Sequence, residues 1–187
     1  VPDPTTDTTD EPASERFDAV IVATDETTAR RLLAPHAPAL DAVSMGSAPR
    51  IEIITLVLDA PVLDAAPRGS GVLTVPGSHA AKALTHSTAK WPWLRRGAGG
   101  RHVVRVSFGA QDEDPATAHL DDRAAAALAL AEAATLLGVD LRPEQVRGQH
   151  RARFVQAQPA AVIGAAARRS AATAAIRAVP GLAEIGR

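Results

Sequence analysis

Hydrophobic and polar positions along the first part of the chain predict a strand followed by a helix. After a polar, acidic segment over residues 1–15, residues 17–24 (FDAVIVAT) form a continuous apolar run rich in β-branched side chains. Such a run is typical of a strand buried on both faces. Residues 25–33 (DETTARRLL) then combine an N-cap signal, an acidic first turn and helix-forming residues. A buried strand that leads straight into a helix is half of a βαβ unit, so an α/β domain is predicted here.

The rest of the chain has the pattern of a mostly antiparallel α+β region. Strands are predicted, with turn-forming residues between them, over residues 50–58, 72–75, 83–88, 102–108 and 146–155. A long helix over residues 121–137 begins with acidic residues and ends before Gly138, and a second helix is predicted over 168–178. Residues 180–187 resemble the start of a further strand. The predicted fold class is therefore α/β plus α+β, as part of a two-domain protein.

Composition and charge narrow the function classes. With 46% hydrophobic and 22% charged residues, the chain can bury a core. Twenty basic residues against 21 acidic ones leave a net charge of -1, which argues against a nucleic-acid partner. The absence of cysteine excludes disulfides and thiolate chemistry. No apolar run reaches the roughly 20 residues of a membrane span and no signal-peptide pattern is present, so a cytoplasmic location is expected.

No short motif identifies a catalytic residue. The six histidines are scattered without a metal-binding spacing, which favours surface or polar-network positions and predicts no metal site. No GxSxG motif occurs, so hydrolysis through a serine nucleophile has no support. The glycines of residues 69–71 and 97–100 do not lie between a strand and a helix, where a dinucleotide fingerprint must lie.

The segment Lys90-Trp91-Pro92-Trp93 is the most informative of the chain, because it holds both of its tryptophans beside basic residues. Two interpretations stay open for it. The tryptophans can close the end of a sheet, or they can form a wall for a flat ligand whose carboxylates the basic residues bind.

Three motifs in a fixed order resemble the flavin-dependent protoporphyrinogen/coproporphyrinogen oxidases of haem biosynthesis, and most closely their bacterial branch. They are FDAVIVAT (17–24), HSTAKWPW (86–93) and VVRVSFG (103–109), followed in the family's order by Arg153-Phe154, PAAVIG (159–164) and PGL (180–182). The resemblance covers nearly the whole chain after its first fifteen or so residues. FDAVIVAT is shared with many flavin amine oxidases, whereas KWPW and the order of the motifs are more specific.

This resemblance implies a Rossmann-like, FAD-linked oxidoreductase with a mostly antiparallel substrate-binding sheet. Residues 1–15 would be a flexible acidic loop, 16–45 part of the FAD-binding domain, 46–150 the substrate-binding domain, and 151–187 a truncated return to the FAD-binding domain. The implied reaction oxidises a porphyrinogen, coproporphyrinogen III or protoporphyrinogen IX, to the porphyrin with FAD and O2. The cofactor would carry out the redox chemistry while the protein positions the macrocycle. The missing parts of the same fold and a peripheral membrane contact are further expected partners.

By the same resemblance, Ala23, Thr24 and Phe154 would contact the cofactor, and Lys90, Trp91 and Arg153 would contact the substrate.

The chain also departs from the family's pattern, and the departures keep other functions open. It lacks the GxGxxG unit and the closing glycine-rich motif, and it has Phe154 where the family has Trp. Alanines at 160, 161 and 165 replace the family's Gln, Tyr and His. The alternatives are therefore a non-catalytic truncated relative that acts as a binding or structural module, and another enzyme of the flavin amine oxidase type.

Overall fold

The computed structural model of the chain describes residues 15–43, 49–110, 113–155 and 163–184. The chain divides into two compact units, one made of residues 1–45 and 163–187 and the other of residues 46–162. The predicted return at residue 151 lies inside a strand of the second unit, because residues 151–155 continue its pairing with a neighbouring strand. No described helix is long and apolar enough to cross a membrane.

The first unit joins two distant parts of the chain through a pair of parallel strands. Strand β1 (Val20–Val22) pairs with β7 (Leu182–Glu184). Helices α1 (Glu26–Leu33) and α5 (Ala165–Arg177) belong to the same unit and contribute to its core. The predicted burial of β1 on both faces is wrong within the described residues, because one side of the strand is left uncovered there. Val22 is buried, whereas Val20 and Ile21 are exposed.

The second unit is built on a five-stranded antiparallel sheet. Its strands are β2 (Arg50–Leu58), β3 (Gly71–Leu73), β4 (Ala81–His86), β5 (His102–Phe108) and β6 (Val146–Val155). Their order across the sheet is β3-β4-β5-β2-β6. The strand predicted over 83–88 begins earlier and ends at His86, since the chain turns there into a short helix.

One face of this sheet is covered by helix α4 (Asp122–Leu137), which the sequence predicts almost to the residue. The Asp121 carboxylate accepts a hydrogen bond from the Ala124 amide at 2.7 Å, and Gly138 ends the helix in the left-handed region. The many alanines of α4 let its axis approach the sheet closely. The core between them contains side chains of alternate strand positions, among them Ile54, Leu56, Leu58, Val104, Val106 and Phe108.

Short helices and 3-10 turns form several of the connections between the longer elements. Helices α2 (Ser87–Lys90) and α3 (Pro92–Gly97) lie between β4 and β5, and 3-10 turns span Pro38–Ala42, Pro61–Ala65 and Pro143–Gln145. Pro begins each of these elements except α2, because its fixed φ suits a first helical position.

Candidate functional site

The face of the five-stranded sheet opposite α4 is the candidate site, and it is called the open face below. Directly paired residues of adjacent strands point to the same side of a sheet, so the register identifies its members. The open face consists of Ile51, Ile53, Thr55, Val57, Ala83, Thr85, Val103, Arg105, Ser107, Gly148, His150, Ala152 and Phe154. None of these described residues is fully buried, in contrast to the α4 face.

A polar row crosses the middle of the open face. Arg105 on β5 lies directly opposite Thr85 on one side and Thr55 on the other, and Thr55 in turn lies opposite His150. The row is flanked by apolar positions, including Ile53 and Val103. Arg105 is exposed and has no hydrogen bond or ion pair within the described residues. An unpaired guanidinium on a flat, largely apolar surface suits a planar ligand that carries a carboxylate.

Phe154, predicted as a cofactor contact, lies at one end of the open face. It is paired with Ile51 across β6 and β2, and 43% of it is exposed. Its side chain is therefore available to a ligand on that face.

Arg153, predicted as a substrate contact, points to the other side of the sheet from Phe154, because successive residues of a strand point to opposite faces. Its Nε donates a hydrogen bond to Glu52 Oε1 at 3.2 Å. The guanidinium is thus engaged in an ion pair on the α4 face.

The other two predicted substrate contacts, Lys90 and Trp91, lie at the opposite end of the sheet from Arg153. Arg153 is paired with Glu52, which lies opposite Phe108 at the end of β5, whereas Lys90 belongs to the helix that connects β4 to the start of that strand. The length of β5 is about 20 Å. The structure therefore does not bring the three residues together. Lys90 Nζ lies 5.2 Å from the centre of the Trp91 ring, in a cation–π contact.

Ala23 and Thr24, the other predicted cofactor contacts, are exposed between β1 and α1 in the first unit. The next residue, Asp25, accepts a hydrogen bond from the Thr28 amide at 3.0 Å. This backbone hydrogen bond and that of the Thr28 side chain hold the pKa of Asp25 below its ordinary value, so the carboxylate caps the helix. Ala23 and Thr24 are thus available to a ligand at the carboxyl end of β1.

A buried ion-pair network lies next to the start of α4, and no sequence motif indicates it. Arg151 contacts Glu52 Oε2 through Nη2 at 2.6 Å, and it also donates to the carbonyls of Thr117 and Leu120. Burial raises the pKa of Glu52, but hydrogen bonds from Thr117 and Arg151 and the nearby positive charges outweigh burial and lower it. Sequence patterning could not identify this network, because its members are separated by up to 101 positions.

Two of the scattered histidines form a buried pair at the far end of the sheet. His86 Nε2 and His102 Nδ1 are 3.1 Å apart, and both side chains are buried. Burial, the partner histidine and Arg95 lower the pKa of His86 to about 4. Burial and Arg95 also lower the pKa of His102, against an opposing effect of Asp64. Both rings are therefore neutral at pH 7, and no described group of three or more metal-ligating side chains occurs.

Comparison with known sequences assigns the class of this protein. Residues 3–162, which are most of the chain, match the flavin containing amine oxidoreductase family. The chain therefore belongs to this family. This membership confirms the resemblance carried by the sequence motifs and, with it, the flavin as the cofactor of the family. No curated protein matches the sequence individually.

Solved structures of similar fold support the predicted fold class. A candidate protoporphyrinogen oxidase from Exiguobacterium sp. 255-15 aligns with a TM-score of 0.63 at 20% identity, over 90% of this chain and 36% of its own. Reduced UDP-galactopyranose mutase aligns with a TM-score of 0.62 at 11% identity, over 90% of this chain and 35% of its own. The chain thus spans about a third of the length of these proteins. At such identities the likeness shows the fold, and it confirms the α/β plus α+β class.

Proposed function

We propose that this chain is part of an FAD-dependent oxidase that converts a porphyrinogen, coproporphyrinogen III or protoporphyrinogen IX, to the porphyrin. A bound flavin would supply the two-electron oxidations. The observation that supports this substrate best is the open face, which offers a flat apolar surface with the unpaired cation of Arg105 at its centre. Porphyrinogens and porphyrins combine a large macrocycle with carboxylate groups. The resemblance of KWPW and of the motif order, together with the Exiguobacterium neighbour, favours the same substrate class.

Within this proposal, the residues of the open face bind and orient the macrocycle. Ile53 and Val103 would contact the ring, since burial of apolar surface is the main source of affinity for such a ligand. Arg105 would bind a propionate by charge-assisted hydrogen bonds. Phe154 would lie against the reacting edge. Arg153, being paired with Glu52, would fix the end of β6 that carries Phe154.

The binding step can be tested with the porphyrin product, whose fluorescence reports complex formation directly. Titration of the chain with coproporphyrin III should show saturable binding. Arg105→Gln should weaken it about tenfold or more, the effect of losing one charge-assisted hydrogen bond. Arg123→Gln, which removes an exposed arginine of α4, is the matched control and should leave binding unchanged. Equal affinities for the Arg105→Gln variant and the unaltered chain would contradict the proposed site.

A second candidate function is a binding module that does not oxidise its ligand. It is favoured by the alanines at 160, 161 and 165, which stand where the resemblance implies the polar side chains Gln, Tyr and His. Incubation with FAD, desalting and an absorbance spectrum separate the two candidates. A retained flavin band near ~450 nm, followed by the appearance of porphyrin fluorescence on adding the porphyrinogen in air, supports the oxidase. A colourless protein that still binds coproporphyrin III supports the module.

A further inference from the structure

The middle of the open face carries two groups that can bind an anion, Arg105 on β5 and His150 on β6. They lie in one row across the sheet, because Arg105 is paired with Thr55 of β2 and Thr55 is paired with His150. Both side chains are exposed, and neither makes a hydrogen bond or ion pair within the described residues. The described open face contains no aspartate or glutamate, so none of its own carboxylates competes for the two groups.

The spacing of this row places the two groups too far apart to share one carboxylate. Neighbouring strands lie about 4.8 Å apart, so the backbones of Arg105 and His150, two strands apart, are separated by about 10 Å. Side chains stand roughly perpendicular to a sheet, which keeps the guanidinium and the imidazole at a similar separation. The row therefore suits a rigid ligand that carries two carboxylates, one for each group.

Small residues leave room around the imidazole of His150. Gly148 and Ala152 are its neighbours on the same face of β6, because they lie two positions before and after it. Gly148 adjoins an irregularity in the pairing of β6 with β2, but its φ lies outside the left-handed region. A Cβ atom at Gly148 would meet Val57 at an ordinary 3.7 Å. The backbone therefore does not require glycine there, and the absent side chain leaves space for the edge of a ring.

We infer that the open face holds its ligand by two carboxylates, one bound by Arg105 and the other by His150, with the ring lying over Thr55. This inference rests on the proposed function, since it adds a second anchor to the porphyrin site. Arg105 binds its carboxylate by charge-assisted hydrogen bonds, and the imidazole of His150 donates an N–H to the other carboxylate. The register of β2 with β5 and β6 is regular around Thr55, so both donors are in place before the ligand binds.

Protoporphyrin IX and its monomethyl ester are a matched pair of probes, because they share the macrocycle and differ in one free carboxylate. Porphyrins absorb where tryptophan emits, so binding can be followed by quenching of Trp91 and Trp93, the two tryptophans of a chain without tyrosine. These two rings are 47% and 63% exposed, so they do not close the end of the sheet. The unaltered chain should bind the diacid at least about tenfold more tightly than the monoester, the effect of one further charge-assisted contact.

Substitutions at His150 test the second anchor. His150→Val should reduce the preference for the diacid to about twofold or less, the statistical advantage of two equivalent carboxylates over one, and should change the affinity for the monoester little. His150→Arg should keep or raise the preference, because it places a cation on the same face. Gln149→Arg is its matched control, since it adds the same charge to the neighbouring residue, which pairs with Leu56 on the α4 face, and it should not raise the preference. His36→Val, at an exposed position of the first unit, should leave the preference unchanged.

Gly148→Val tests the place of the ring separately from the two anchors. The added side chain fills the space beside His150 while suiting a strand, so the variant should bind both probes more weakly and by a similar factor.

Three results would overturn the inference, and they differ in what they mean for the proposed function. If neither probe bound, the proposed porphyrin site would fail together with the second anchor. If both probes bound and His150→Val kept the full preference for the diacid, the porphyrin site would stand and His150 would not be an anchor. An equal rise in preference in His150→Arg and Gln149→Arg would assign the effect to the overall charge of β6 and not to a contact on the open face.

Discussion

Two arginines of β6 each form an ion pair with a carboxylate, but the two ion pairs contribute differently to stability because they differ in burial. Arg151 has a side chain that is 3% exposed and contacts Glu52, itself nearly buried. Arg147, four residues earlier, contacts Asp59 at 3.0 Å, but about half of each side chain is exposed. Solvent screens the second pair, whereas removal of Arg151 leaves the buried Glu52 carboxylate with one cation, the exposed Arg153, and takes away the donor of the Thr117 and Leu120 carbonyls.

We therefore expect unequal costs from equal substitutions at these two arginines. Arg151→Met should lower the free energy of unfolding by about 3 kcal/mol or more. Arg147→Met should lower it by less than about 1 kcal/mol. Urea unfolding at pH 7 measures both. Similar losses for the two variants would mean that Glu52 relaxes towards solvent when Arg151 is absent.

The loss of Arg151 should also change the pH dependence of stability. The pKa of Glu52 is lowered in the folded chain, so its contribution is present above the ordinary carboxyl pKa and is lost as pH falls through the lowered value. Without Arg151, burial is opposed by Thr117 and Arg153 alone, so the pKa of Glu52 should be lowered less than in the unaltered chain. The Arg151→Met variant should then lose stability at a higher pH than the unaltered chain does.

Gly109, immediately after β5, has a backbone requirement that explains the glycine of the VVRVSFG motif. Its φ is +97°, and a Cβ atom there would lie 2.2 Å from the Arg50 carbonyl oxygen. Gly109→Ala should therefore lower the free energy of unfolding by about 2 kcal/mol or more. Gly97 in α3 is the matched control, since it has ordinary φ and open space around it. Gly97→Ala should change stability by less than about 1 kcal/mol.

At the scale of elements, β4 and β5 are joined at one end by the His86–His102 pair. The pair occupies core positions next to α2, where neutral rings can share one hydrogen bond. His102 Nε2 lies 3.5 Å from Asp64 Oδ1, which gives an electrostatic contact without a good hydrogen bond. Protonation of either ring in this position would place one positive charge close to that of Arg95.

This pair predicts loss of stability on mild acidification. The folded pKa of His86 is about 4 and lies below its ordinary value of 6.5, so the unfolded chain binds more protons in between. The contribution of neutral His86 to the free energy of unfolding is therefore present above pH 6.5 and is lost as the pH falls towards 4. At pH 5.5 the loss is about 1 kcal/mol relative to pH 7.5.

Urea unfolding across pH 7.5 to 5.5 measures this loss, and replacing both rings tests its origin. The variant His86→Leu/His102→Leu should have a flatter profile over that range than the unaltered chain. His150→Gln, at an exposed position of β6, is the control and should leave the profile unchanged. An unchanged slope in the double variant would assign the pH dependence to other groups.

Alternation and capping predicted β2, β5, β6 and α4 nearly to the residue, because these elements each place one side against a common core. Alternation and capping did not predict the features that depend on contacts between residues distant in the sequence. Alternation along β6 puts Arg153 and Phe154 on opposite faces, but it could not show which partners they meet, since that depends on their pairing with Glu52 and Ile51. It also could not pair His86 with His102, because the intervening helical hairpin has no strand-like period.

At the scale of the whole molecule, the two units differ in the size of their cores. The buried cluster of the first unit consists of Val22, Ala29, Leu33, Ala37, Leu40 and Ile176. Among the described residues, the cluster of the second unit contains three times as many buried residues, 18 against six. Because local stability follows the buried apolar contacts of a unit, the first unit should open at a lower free energy than the second.

Native-state amide exchange tests this difference, with β1 and β5 as reporters. Amides of Val20–Val22 should exchange at least about tenfold faster than those at the centre of β5. Ile176→Ala, which removes the largest side chain of the small core on α5, costs about 2–4 kcal/mol and should speed exchange in β1 further while leaving β5 unchanged. Val106→Ala in β5 is the reciprocal variant and should speed exchange in the second unit. If Ile176→Ala accelerated β1 and β5 alike, the units would unfold as one, and the small core would owe its stability to the larger one.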